Sequence, residues 1–344
     1  MEQPIRDRSG GLSAVRLDAR RLALLAALAA ATVALLVTLG GGRVTLDALR
    51  RVDVRLIALA AAVHYGGFAL RGHRWQTLLA ALGHRLGYRY TTSVLLAGWF
   101  VSAMVPARAG DLLRVAALRL PPPSQPRVPA ADSLASLFLE RTLDLLAILA
   151  LSAGASLVVL GGRVPSWVLG SYGVTLALLV ALTVTALVVP SLLARARDAW
   201  SQPTWAAAWD FAFQAAASLR RLPRDPRMAA LVVVESLAIW LCDGLLLWLV
   251  VLSLGYTLPL AASIFVALTV DIFAAVPLTP GGLGQIETAY AALLALLAQG
   301  GIPIAAVVLA ARGVSYWSFL LVSGLVTLGA GLGRLFTPGA PATP

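Results

Sequence analysis

Val105-Pro106-Ala107-Arg108-Ala109-Gly110-Asp111 and Val276-Pro277-Leu278-Thr279-Pro280-Gly281-Gly282-Leu283-Gly284 interrupt two otherwise apolar segments, one in each half of the chain. Each is followed by an arginine inside a further apolar run, and the step from Pro106 to Arg141 equals that from Pro277 to Arg312. Proline removes a backbone donor and glycine tolerates positive φ, so each interruption breaks a helix. Paired breaks at corresponding places in two halves mark a duplicated transporter fold whose discontinuous helices line the substrate site.

Composition agrees with a membrane setting. The 344 residues are 59% hydrophobic and 12% charged, with a mean hydropathy of +0.85, a combination no soluble domain shows. All the basic residues are arginine, and the net charge of +11 favours anionic lipid headgroups over nucleic acid. An Ala- and Arg-rich, Lys-free composition also follows from codon bias. The lone Cys242 cannot form an intrachain disulfide and reads as a small core residue.

Runs long enough to cross a hydrocarbon core of roughly 30 Å lie at 22–39, 54–71, 132–160, 167–190, 228–252 and 303–333. The first follows Arg6, Arg8, Arg16, Arg20 and Arg21 and is too long for a signal-peptide core, so it reads as a retained anchor. The broken regions 91–119 and 259–298 read as re-entrant hairpins, because irregular backbone at membrane depth must be shielded by protein or line a cavity. The expected fold is an all-α polytopic membrane protein with about six full transmembrane helices and two re-entrant broken-helix hairpins in an inverted-topology repeat. A basic tail (1–20) precedes one membrane domain (21–335), and a short tail (336–344) follows it. Within that domain the pseudo-repeats cover 54–160 and 228–333. They are linked by a span and an interfacial amphipathic helix over 203–222, where Trp205, Trp209, Phe213 and Ala216 form one stripe.

Arginine placement sets the orientation. The N-terminal tail, the 71–90 segment with Arg71, Arg74, Arg85 and Arg89, the 119–131 linker and the 191–227 segment fall on one side, predicted to be cytoplasmic, with both termini there. The first hairpin then opens to the cytoplasm and the second to the outside. A shared Leu-Gly-Tyr at 86–88 and 254–256 adds similarity between the halves.

Ionisable residues inside membrane segments are functional candidates by default. Here they are Glu140, Arg141, Asp144, Glu235, Asp243, Asp271, Glu287 and Arg312. Arg141 and Arg312 can each present a planar fork to a phosphate, whereas Asp144 and Glu235 are equally readable as structural ion-pair partners. A half-helix starting near Gly282 would aim unpaired N–H groups inward; Pro280 suits a helix start, and Gly281, Gly282 and Gly284 leave room for a headgroup. In the first break Arg108 and Arg114 flank Asp111, a candidate helix cap beside Gly110. Asp243, Asp271 and Glu287 are candidate proton carriers.

The ordered set Gly98-Trp99-Phe100, Pro106-x-Arg108-x-Gly110-Asp111-x-x-Arg114, Glu140-Arg141-x-x-Asp144, Pro277-x-x-Pro280-Gly281-Gly282-x-Gly284-x-x-Glu287 and Arg312 with Ser315-Tyr316-Trp317 resembles the flippase-like family of lysylphosphatidylglycerol synthase transmembrane regions. The early Arg74-Trp75 pair fits as well. The resemblance covers roughly 20–335 and implies a lipid-translocating membrane domain. In the aminoacyl-phosphatidylglycerol synthases this domain precedes a cytosolic transferase domain, which is not found here, so aminoacyl transfer is not expected.

The leading expectation is a cell-membrane transporter that moves an anionic phospholipid or a polyprenyl-phosphate-linked headgroup between leaflets. Its substrate-binding residues would be Arg108, Gly110, Asp111, Arg114, Glu140, Arg141, Asp144, Pro280, Gly281, Gly282, Gly284, Glu287 and Arg312. An intramembrane lipid-modifying enzyme is the alternative, but H-E-x-x-H, P-loop and G-x-S-x-G patterns are missing and His64, His73 and His84 are scattered. No cofactor, metal or catalytic residue is therefore expected. A membrane subunit that supports a partner enzyme, or a homo-oligomer, is also allowed.

Overall fold

The computed structural model describes residues 42–104, 109–199, 225–275, 279–297 and 301–332, together with 30, 34 and 38. Residues 105–108 of the first break, Arg108 among them, residues 276–278 of the second, the 203–222 segment, both tails and most of the 22–39 run lie outside the described residues. Among the described residues every regular element is helical. In chain order these are α1 (Gly42–Arg50), α2 (Val54–Ala81), α3 (Tyr88–Met104), α4 (Ala109–Arg119), α5 (Ala130–Leu160), α6 (Ser166–Ala199), α7 (Pro226–Ser253) and α8 (Leu260–Ala274). A 3-10 turn (Pro280–Gly282), α9 (Gln285–Leu297), α10 (Ile304–Arg312), a π-helical turn (Gly313–Ser318) and α11 (Phe319–Gly329) complete them.

Among the described residues five stretches are long and apolar enough to span a membrane: Val54–Ala81, Ala130–Leu160, Ser166–Thr185, Pro226–Ser253 and Ile304–Gly329. Leu157, Val158, Leu176, Leu321, Leu325 and Leu328 stay exposed on the outside of the bundle, an arrangement suited to lipid and costly in water. Inside, Ser236, Ser323 and Thr327 return their hydroxyls to the carbonyl four residues back, which satisfies them without water. The protein is a polytopic all-α membrane protein.

The helix expected over 54–71 continues to Ala81. Arg71 and Arg74, assigned from sequence to a cytoplasmic segment, are instead 6% and 1% exposed within it. They lie one turn apart on the buried face, where carboxylates of α5 and α7 receive them, so they carry no information about orientation.

The two broken regions each form a pair of short helices. α3 and α4 have 17 and 11 residues, and α8 and α9 have 15 and 13. At about 1.5 Å per residue none reaches across roughly 30 Å of hydrocarbon. α3 and α4 cross with their backbones in contact: a Cβ on Gly110 would collide with the Gly98 carbonyl, and one on Gly98 would lie 2.9 Å from the Gly110 carbonyl.

Helices α2 and α7 pack along each other and match in detail. Both have 28 residues, start at an aspartate (Asp53, Asp225) that accepts the N–H two residues on, and end at a leucine (Leu82, Leu254). Gly83 and Gly255 follow with φ of 94° and 81°. The matching pair after these helices is therefore Leu82-Gly83 with Leu254-Gly255, and the Leu-Gly-Tyr at 86–88 is one turn out of register. Arg71 and Asp243, 172 positions apart, form an ion pair. The same step carries Gly72 to Gly244 and Thr92 to Ile264, and a Cβ on either glycine would run into that partner side chain.

Candidate functional site

A cavity of about 280 Å³ opens where α2, α3, α5, α7, α8 and α10 converge beside the second break. It lies between two apolar cores, one around Phe265, Val266, Leu293 and Val307, the other around Trp75, Leu79, Leu95 and Leu118. Its wall combines rings (Phe68, Trp99, Trp240, Tyr316) with charges: Arg71, Arg141 and Arg312 against Asp111, Asp144, Asp243 and Asp271. Buried charge of this density survives only if paired.

Arg114 of α4 is fully buried and grips Glu140 of α5 with two bonds, Nη1 to Oε1 at 3.1 Å and Nη2 to Oε2 at 2.5 Å. Its guanidinium lies 4.0 Å over the Trp75 ring. Neither Arg114 nor Glu140 faces the cavity; they clamp the first hairpin to α5. Arg74 plays the same part between α2, α5 and α7, donating to Asp144 Oδ1 at 2.7 Å and Ser236 Oγ at 2.8 Å. The same Asp144 oxygen accepts Trp240 Nε1 at 3.0 Å.

Arg141 is held differently. Its contacts are long, 3.3 Å to Asp111, 3.5 Å to Asp144 and 3.9 Å to Glu140, its side chain is 24% exposed, and its Nε has no partner. Asp111 sits in the first turn of α4 and pairs with both Arg141 and Arg114. Arg71, not expected in the site, reaches Asp243 through Nη2 at 3.3 Å, while Nη1 is buried without a partner. The Trp240 and Trp99 ring centroids lie 4.3 and 5.2 Å from it. Trp99 also meets Arg141 at 5.7 Å, so one indole stands between two guanidiniums with unused donors.

At the second break Pro280 opens the 3-10 turn, and Gly281 and Gly282 take φ of 62° and 64°, a region that excludes most side chains. At Gly281 a Cβ would also strike the Tyr316 ring. Arg312 donates through Nε to Glu287 at 2.6 Å and through Nη2 to the Gly281 carbonyl at 3.1 Å, which ties α10 to the turn. Glu287 in turn accepts Gly284 N–H at 2.7 Å, the reciprocal half of a capping box. The amino end of α9 is thereby already occupied by a carboxylate. Tyr316, in the π-turn after Arg312, donates to the Ala103 carbonyl at 3.4 Å and so joins the last span to the first hairpin. A π-turn placed beside a ligand cavity is a common feature of functional helices.

Of the residues singled out by sequence, Asp111, Arg141, Asp144, Asp243, Asp271, Gly281, Gly282 and Arg312 line the cavity. Arg114, Glu140 and Glu287 stand behind it as partners, Gly110 serves helix crossing, and Gly284 serves the cap. Trp99 and Tyr316 of the ring wall stood in the family pattern, whereas Arg71, His64, Phe68 and Trp240 were missed as site residues; the signal available was the i, i+3, i+4, i+7 row His64, Gly67, Phe68, Arg71 on one helix face. His73 and His84 instead pair with Glu235 and Asp132. Among the described residues no three His, Cys, Asp or Glu side chains gather as a metal site.

Comparison with known proteins fits this architecture. The chain is 28% identical over 289 residues to the protein named glycosyltransferase AglD of Haloferax volcanii, covering 74% of this chain and 45% of that one. It is 25% identical over 229 residues to the UPF0104 membrane protein MJ1078 of Methanocaldococcus jannaschii, covering 66% of this chain and 92% of the relative. The chain thus spans less than half the length of the Haloferax protein. No solved structure matches significantly. Residues 22–323 match the family described as the lysylphosphatidylglycerol synthase TM region, and the chain belongs to that family.

Proposed function

We propose that the protein moves an anionic phospholipid, or a lipid-linked phosphate headgroup, between the leaflets of the cell membrane. The observation that carries this reading is the contrast among the arginines. Each of the four keeps one nitrogen without a partner, but Arg114 and Arg74 are gripped by short bonds away from the cavity, whereas Arg141 and Arg71 line it, flank Trp99 and make only long contacts to their carboxylates. A phosphate between them gains charge-assisted hydrogen bonds that the present partners leave unmade. Acyl chains stay in lipid outside the bundle.

Alternating access follows if the halves are an inverted repeat. The matched caps of α2 and α7, the equivalent Gly72–Thr92 and Gly244–Ile264 approaches and the Arg71–Asp243 pair support a duplication. Exchange of conformation between two such halves opens a shared site to either face in turn. In this reading both termini are cytoplasmic. The headgroup is held by Arg141, Arg312 and the Gly281-Gly282 turn, joined by Arg71, while Asp111 and Asp144 neutralise the arginines when the site is empty.

Reorientation of a labelled phosphatidylglycerol in proteoliposomes tests the proposal. The intact protein should accelerate it and Arg141→Ala should abolish the acceleration; rates equal to empty vesicles across phosphatidylglycerol and polyprenyl-phosphate probes would sink it. A second reading, an intramembrane lipid-modifying enzyme, draws on the glycosyltransferase name of the Haloferax relative. It predicts a new lipid product by mass spectrometry after incubation with a sugar donor and lipid in detergent.

A further inference from the structure

Pairing the buried charges one by one leaves a remainder. Arg74 takes Asp144, Arg114 takes Glu140, Arg141 takes Asp111, Arg312 takes Glu287 and Arg71 takes Asp243. Each arginine at the site has its carboxylate, and Asp271 has none. It lies in the C-terminal half of α8 and lines the cavity, and while its backbone carbonyl accepts the Ala275 N–H, its carboxylate makes no ion pair or hydrogen bond among the described residues. A carboxylate without a countercharge inside a membrane bundle is expensive, and its usual resolution is to bind a cation, the smallest being a proton.

A second unpartnered group shares the same wall. His64 is 6% exposed and lines the cavity, and neither ring nitrogen has a hydrogen-bond partner. Its Nδ1 stands 3.9 Å from Asp243 Oδ1, too far for a bond and near enough for one after a small shift. The other proton-carrier candidates are already engaged: Glu287 with Arg312 and the Gly284 N–H, Asp243 with Arg71.

We propose that Asp271 is a proton-binding site in the cavity, with His64, which lines the same cavity beside Asp243, as a second acceptor, and that lipid translocation is coupled to proton movement across the membrane. This rests on the transporter reading. The five pairs balance and an ionised Asp271 leaves the empty site one negative charge in excess, which a monoanionic phosphate entering between Arg71 and Arg141 would make two. One proton taken from the facing aqueous phase onto an Asp271 carboxylate oxygen restores the sum, and the same proton leaves to the opposite phase when the headgroup does. The charged groups that act on Asp271 are Asp243 of α7, Asp144 of α5, Arg71 of α2 and Arg312 of α10. Tyr290 of α9 lies beside them, and α6, also packed on α8, brings no charged group to the cavity. A metal ion is the poorer occupant, since hard cations take six or more oxygens and one free carboxylate stands here.

The test uses the full chain in proteoliposomes, labelled phosphatidylglycerol as probe, an imposed pH gradient and the membrane potential clamped. One-to-one coupling lets a gradient of one pH unit sustain up to about a tenfold leaflet ratio of the probe. Asp271→Asn should show a ratio of one. Infrared difference spectra between acid and alkaline buffer give a readout independent of transport: a protonated-carboxyl band present in the intact protein and lost in folded Asp271→Asn. Arg141-dependent reorientation that ignores the gradient, a gradient response that survives Asp271→Asn, or dependence on sodium at constant pH would each overturn the proton site and leave the transporter reading standing. Absence of reorientation with phosphatidylglycerol and polyprenyl-phosphate probes alike overturns both.

Discussion

Arg114 and Arg141 differ by geometry and not by type, and their substitutions should separate accordingly. Removing one member of a buried, bidentate pair leaves the other charge unsatisfied and costs about 3–5 kcal/mol. Arg114→Ala and Glu140→Ala should therefore lower the melting temperature strongly in detergent, whereas the joint replacement Arg114→Met with Glu140→Gln should recover much of the loss. Arg141→Ala removes only long, part-exposed contacts and should leave the melting temperature nearly unchanged while ending lipid movement. Equal destabilisation of the Arg114 and Arg141 variants would contradict this division. Arg71→Lys is informative because lysine keeps the charge and loses the flat face between Phe68, Trp99 and Trp240. It should weaken retention of phosphatidylglycerol on the purified protein by about tenfold, roughly the value of one cation–π or bidentate contact.

At the scale of elements, the hairpins depend on glycine for two distinct reasons. Gly98 and Gly110 permit backbone contact between α3 and α4, so Gly110→Ala should separate the helices and displace Asp111 and Arg114 with them. The expected result is poor folding together with lost transport, read by size-exclusion profile and melting curve; a well-folded, active Gly110→Ala would refute the crossing. Gly281 answers to positive φ and to the Tyr316 ring at once. Gly281→Ala should therefore cost more than an ordinary Gly→Ala change and also loosen Arg312, whose Nη2 depends on that carbonyl. The elements themselves were largely legible. Apolar run lengths located α5, α7 and the Ile304–Gly329 span, and proline with glycine located both breaks. The extension of α2 to Ala81 was not legible from hydropathy, because Arg71, His73 and Arg74 lower it where the helix faces carboxylates rather than water.

For the molecule as a whole, the proposed inverted repeat makes a topological prediction. In a Cys242→Ala background, a cysteine at Ser124, in the exposed linker after the first hairpin, should react with a membrane-impermeant maleimide only from the cytoplasmic side. A cysteine at Gly301, exposed after the second hairpin, should react only from the outside. Labelling of both from one side would exclude opposite hairpins.

The sequence by itself determined membrane residence, helical class, the positions of the breaks and the matched arginines Arg141 and Arg312, because hydropathy, proline and glycine act locally and register in one dimension. The tertiary structure alone decided which charges are spent on each other and which remain. Ion pairing depends on approach between helices distant in sequence, such as Arg71 with Asp243 and Arg74 with Asp144. In a low-dielectric interior a difference of about 1 Å in contact distance, or between one partner and none, separates a brace such as Arg114 from a group left open to a ligand.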